Sequence, residues 1–131
     1  MQSSVDEELR KFQGTWRQIR CEADGIANPP DEFGSQPLTV FAGNTYVVTL
    51  PDGTVVIEGT FTLDPTQEPK AVNWTDTCGA DSLKTFPAIY SFNDDQLIFC
   101  AADEGMERPK GFQTHVGHTL RVHQRVTEPL V

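Results

Sequence analysis

The apolar positions of this chain change period once. Val5, Leu9 and Phe12 recur on one helical face, and Ser4 with Glu7 three positions later has the form of a capping box. That pattern predicts a helix of about two turns over residues 4–13, ending at Gly14. From Thr15 onward the 3.6-residue period is lost. Residues 15–23 contain no proline and read as a strand closed by an Asp24-Gly25 turn. Asn28-Pro29-Pro30-Asp31 then makes the first connection a long loop, because two prolines remove donors and fix the backbone.

Regular punctuation follows. Runs at 38–41 and 46–50 flank a turn at Gly43-Asn44, and a run at 55–63 follows Pro51-Asp52-Gly53, with Gly59 read as a bend or bulge. Asp64-Pro65 opens another loop, residues 71–74 form a short strand, and residues 75–82 read as turn-rich and polar. Residues 85–92 and 97–101, joined at Asn93-Asp94-Asp95, make a hairpin. A long loop through Glu104-Gly105, Arg108-Pro109 and Gly111 then leads to a last strand over 119–126. About eight strands without crossover helices predict an antiparallel sandwich or closed barrel. Closure is favoured because 97–101 and 119–126 carry few charges for exposed edges. The expected fold is all-β: one domain over 1–131, with a single antiparallel barrel at about 14–126 behind a short helix.

Charge narrows the partners. A formal net charge of −9 repels phosphate backbones and anionic membrane surfaces, and no Lys/Arg cluster offers a local exception. No nucleic-acid partner is expected. No apolar run approaches the roughly 20 residues of a membrane span. The start, Met1-Gln2-Ser3-Ser4-Val5-Asp6-Glu7-Glu8, lacks the basic and apolar regions of a signal peptide, so the chain reads as soluble and cytoplasmic as written, or as trimmed from an exported precursor. Cys21, Cys78 and Cys100 are odd in number and widely spaced, which gives no disulfide framework. Cys21 and Cys100, in strand-like runs, are expected to be reduced, buried and inert, and Cys78 to sit exposed in a loop as the thiol most open to reaction.

No chemistry-bearing motif stands out. His115-Val116-Gly117-His118 mimics a metal spacing, but Gly117 makes it a turn entering a strand, and His118 and His123, five apart, face opposite sides of it. All three histidines are expected in solvent or turns, and no metal site is assigned. Asp6-Glu7-Glu8, Asp31-Glu32, Asp94-Asp95 and Asp103-Glu104 fall on the helix start or in turns, where adjacency does not create the cleft that acid–base work requires. No nucleophile elbow, phosphate-binding glycine loop or HExxH sequence is present. The reading is therefore a non-enzyme, with no catalytic residue and no cofactor.

One family resemblance adds to this. Phe12-Gln13-Gly14-Thr15-Trp16 resembles the opening of a lipocalin-like family of uncharacterised bacterial domains, numerous in planctomycetes. Glu22-Ala23-Asp24-Gly25, Gly59-Thr60-Phe61-Thr62-Leu63-Asp64-Pro65, Lys70-Ala71-Val72-Asn73-Trp74-Thr75, Phe86-Pro87-Ala88-Ile89-Tyr90 and Glu107-Arg108-Pro109 match it in the same order, over about residues 9–125. The resemblance implies a calycin-type barrel in which the Gly-x-Trp tryptophan closes one end under a basic residue of the last strand. Here those positions are Gly14 and Trp16. With first and last strands antiparallel, Arg125 is the better partner and Arg121 the second.

An eight-stranded barrel holds one small ligand when its inward side chains leave room. Phe61, Trp74, Tyr90, Phe92 and Phe99 are the expected walls, with Arg20 or Tyr90 as polar anchor. The same rings would equally plug the interior. The expected function is non-catalytic binding of a small apolar or amphipathic molecule. The alternative is a filled barrel that docks a protein partner through loop 26–36 or 102–118, and an enzyme of unknown class ranks third.

Overall fold

A computed structural model describes residues 4–27, 37–78 and 83–126 of the chain. One helix, α1 (Ser4–Phe12), precedes β1 (Gly14–Ala23), β2 (Ile26–Ala27), β3 (Leu38–Ala42), β4 (Thr45–Thr49), β5 (Val55–Asp64), β6 (Ala71–Cys78), β7 (Thr85–Asn93), β8 (Gln96–Ala102) and β9 (His118–Arg125). Every pairing is antiparallel, each strand from β3 to β8 pairs with the next, and β1 bonds both β3 and β9. The result is a closed eight-stranded barrel, with the two-residue β2 folded back on the end of β1. Closure removes both sheet edges, which accounts for the apolar character of the last strands. Among the described residues no helix is long and apolar enough to cross a membrane.

α1 closes the end of the barrel at which β1 begins. Its buried face carries Glu8, Leu9 and Phe12, whereas Val5, expected on that face, is exposed. The exchange has a chemical reason. Tyr90 Oη donates to Glu8 Oε1 at 2.8 Å inside the barrel end, and Lys11 and Lys70 approach Glu8 Oε2 at 2.9 and 3.2 Å. Burial opposes ionisation of Glu8, but hydrogen bonds from Lys11, Tyr90 and Lys70 outweigh it and hold the carboxyl below its usual range. The Ser4 side chain of the expected capping box lies outside what the structure describes.

Trp16 is fully buried beneath this helix, and its indole N–H donates to the Phe12 carbonyl at 2.8 Å. The Arg125 guanidinium carbon lies 4.2 Å from the Trp16 ring centroid. The same guanidinium donates to the carbonyls of Lys11 and Gln13, both at 2.8 Å, so one cation covers the indole and satisfies the helix C-terminus. Gly14 makes this possible. Its φ is +116°, and a Cβ there would stand 3.3 Å from Arg125 Nη1.

Rings fill the half of the barrel next to α1. Phe12 inserts among Phe41, Phe61, Tyr90 and Phe92 at centroid distances of 5.0–5.4 Å. A second, smaller core lies on the outer face of β7, β8 and β9, where Ile89, Cys100, Leu120 and Val122 pack with Phe112 of the long connection 103–117. That connection is tied down. Arg108 donates to the carbonyls of Val72 and Ala88 and to Asn73 Oδ1, and Thr114 Oγ1 donates to Glu22 Oε2. Cys100 is fully buried and its thiol is pushed up to about 11, by burial and then by the Glu22 charge. Cys21 is only half-buried.

One expected element differs. β6 continues through Cys78 where a polar loop was expected after Trp74, because β5 supplies ladder partners as far as Glu58 opposite Cys78. Cys78 therefore ends a strand, and its side chain lies outside the described residues. The expected 28–31 loop also lies outside them.

Gly59 coincides with a register shift between β5 and β6. Its glycine is required by close approach: a Cβ there would run into the Tyr46 hydroxyl and the Thr75 carbonyl oxygen. Gly59→Ala is expected to destabilise the fold by about 2–3 kcal/mol, as for an overpacked core. A urea midpoint unchanged from wild type would show that the Tyr46 ring does not rest on this backbone.

Candidate functional site

Beyond the packed rings, the half of the barrel away from α1 contains a cavity of about 310 Å³. Its floor is aromatic. Phe41, Tyr46, Trp74 and Phe99 line it from below, with Tyr46 set perpendicular to Trp74 at 5.5 Å and Trp74 tilted against Phe99 at 4.9 Å. Thr39, Val48, Ile57, Phe86 and Ala101 continue the wall, and Pro37 and Asp103 reach it from the adjoining connections.

Polar groups occupy two sides. On the β1/β9 side, Arg121 Nη1 donates to Gln18 Oε1 at 2.8 Å, and His123 stacks on Phe99 at 5.6 Å with an interplanar angle of 17°. On the β4/β6 side, Tyr46 Oη donates to Asp76 Oδ1 at 2.5 Å. Burial, then the hydrogen bond and charge of Asp76, drive the Tyr46 phenol far above its ordinary value, so it remains a protonated donor. His123 goes the other way. Burial, reinforced by the Arg121 charge, lowers its pKa to about 3, which leaves the ring neutral at physiological pH.

Two buried nitrogens in this lining have no hydrogen-bond partner: Trp74 Nε1 and His123 Nδ1. Unpartnered buried groups cost roughly 1–3 kcal/mol each.

The sequence-derived candidates separate into layers. Trp74 and Phe99 line the cavity, whereas Phe61, Tyr90 and Phe92 belong to the packed layer beneath it. Tyr90 is engaged by Glu8 and does not face the cavity as an anchor. Arg20 is on the outer surface, its side chain 58% exposed and 3.7 Å from Glu22. A register shift between Gln18 and Arg20 explains this. Ile19 is the extra residue, so the alternation that puts Trp16 and Gln18 inside puts Arg20 outside. Gly14, Trp16 and Arg125 meet at the closed end, while Arg121 faces the cavity and is not placed over Trp16.

His123 corrects the expectation of solvent-exposed histidines, being only 4% exposed. The signal was available: counting by twos from Arg125 reaches His123, Arg121 and Thr119, all of which line the cavity or its closed base. His118 lies on the other face of β9, and its Nδ1 accepts from the His115 amide. Among the described residues no three His, Cys, Asp or Glu side chains gather to hold a metal ion. The chain matches no protein-family model and no curated protein.

Proposed function

We propose that this protein binds a small apolar or amphipathic molecule in the barrel cavity without transforming it. The observation that carries the reading is the half-filled interior: ring and aliphatic side chains pack one half, while Trp74 and Phe99 present surface to a cavity of about 310 Å³ in the other. That volume lies at the lower end of ligand pockets, which run from about 300 to 1,000 Å³, and it favours a compact ligand over a long chain. The Gly14-x-Trp16 opening and its likeness to lipocalin-like domains support the same role, by analogy of architecture.

Thermal unfolding in the presence of medium-chain fatty acids, retinoids and small aromatic acids and alcohols tests this. A ligand at about one hundred times its Kd adds about 2.7 kcal/mol, visible as a raised Tm. Ala101→Leu, which places a larger side chain in the cavity wall, is expected to weaken that ligand at least roughly tenfold while the barrel stays folded. Binding that is indifferent to Ala101→Leu would move the site elsewhere.

A second reading, docking of a protein partner, draws on the exposed apolar side chains Ile26, Met106 and Val116. Complex formation that survives Ala101→Leu and is lost in Val116→Ser would favour it.

A further inference from the structure

Resting on that binding role, we infer that the ligand carries a carboxylate, received at the β1/β9 side of the cavity by Arg121. Its remaining body is compact and lies on the Trp74–Phe99 floor.

The argument starts from donors. Arg121 has five N–H bonds, and among the described residues its hydrogen-bond acceptor is the Gln18 amide oxygen, with no carboxylate paired to it. Gln18 thereby orients the guanidinium and leaves most of its fork for another acceptor. A planar fork facing a cavity suits a carboxylate, which it can hold through two parallel bonds.

A cationic ligand is the rival, since Asp76 and Asp103 also line the cavity. Two observations weigh against it. Asp76 already accepts the Tyr46 hydroxyl at 2.5 Å, and Asp103 is exposed to solvent. Arg121 is the positive side chain of the lining, beside His123, and its charge acts on that ring. The cavity volume of about 310 Å³ restricts the body to a fused ring pair or a short aliphatic chain.

Calorimetric titration of the full chain with 1-naphthoate, 1-naphthamide, 1-naphthylmethylamine and naphthalene separates these cases. Naphthoate is expected to bind at least about tenfold more tightly than naphthamide, because a site built to meet charge and acceptors rejects the analogue lacking them. In Arg121→Gln that advantage should fall to less than about threefold, with naphthamide affinity little changed. On the wild-type protein, which removes any question of variant folding, naphthoate should shift the Trp74 indole ¹H–¹⁵N resonance and leave that of Trp16, committed to Phe12, in place. Preference for the amide, the amine or naphthalene, a naphthoate advantage that survives Arg121→Gln, or an unmoved Trp74 indole resonance would overturn the carboxylate inference and leave cavity binding standing. Failure of all four compounds to bind would overturn this inference, and with no Tm shift across the fatty-acid, retinoid and aromatic panel it would remove the cavity-binding reading as well.

Discussion

Trp16→Ala is expected to destabilise the protein by about 3–5 kcal/mol, the range for emptying a buried tryptophan site. Trp16 is fully buried, and three separate groups depend on its indole. Its N–H holds the Phe12 carbonyl at 2.8 Å, its face carries Arg125 at 4.2 Å, and Phe92 lies tilted against it at a centroid distance of 6.1 Å. Alanine would leave a void at the junction of α1, β1 and β9 that no neighbouring ring can fill without leaving its own partners. Small domains have only about 5–15 kcal/mol in total, so a large share of the folded population would be at risk. Urea unfolding followed by far-ultraviolet circular dichroism measures the effect. A loss below about 1 kcal/mol would mean that the indole does not seal this end of the barrel.

Acid should act through His123. Its folded pKa is about 3, whereas the unfolded side chain titrates near 6.5. Between those values the unfolded chain binds a proton that the folded chain refuses. Stability from this residue is therefore fully present above about pH 6.5 and is lost as the pH falls toward 3. The loss amounts to about 2 kcal/mol at pH 5 and on the order of 4–5 kcal/mol at pH 3. Around the ring stand Phe99, stacked upon it, Arg121 two residues away on β9, and Gln18 opposite it on β1, so protonation would place a second positive charge beside a guanidinium. His123→Phe keeps a ring against Phe99 and removes the proton. The variant should be at least as stable as wild type at pH 7, because an unpartnered buried nitrogen is also removed, and should lose about 2 kcal/mol less than wild type between pH 7 and pH 5. Parallel pH profiles for the two proteins would place His123 in water.

The same position shows how legible the site was. Strand parity along β9 is a local property, and alternation from Arg125 reaches both Arg121 and His123. The two-residue period does not say which face of the strand is inside. That was settled by closure, in which Arg125 meets Trp16 and Gln18 meets His123 across the β1–β9 seam. Arg20 failed for the converse reason. Its position obeys the alternation only until Ile19 is inserted, and a bulge depends on the register demanded by the neighbouring strand. Gln18, Tyr46 and Asp76 carry no motif at all; they became neighbours because β1, β4 and β6 curve around one cavity.

By itself, the amino-acid sequence determined the order of helix and strands, most of the turns, the antiparallel meander and the pressure to close it, since period-two apolar runs and Gly, Pro and Asp turns act over a few residues. The tertiary structure decided what no local pattern encodes: that Glu8 and not Val5 faces inward, that β6 persists to Cys78, and that aromatic rings fill one half of the barrel and stop short of the other. Those outcomes depend on volumes and polar partners contributed by residues far apart in the chain. Only closure brings such residues within contact distance.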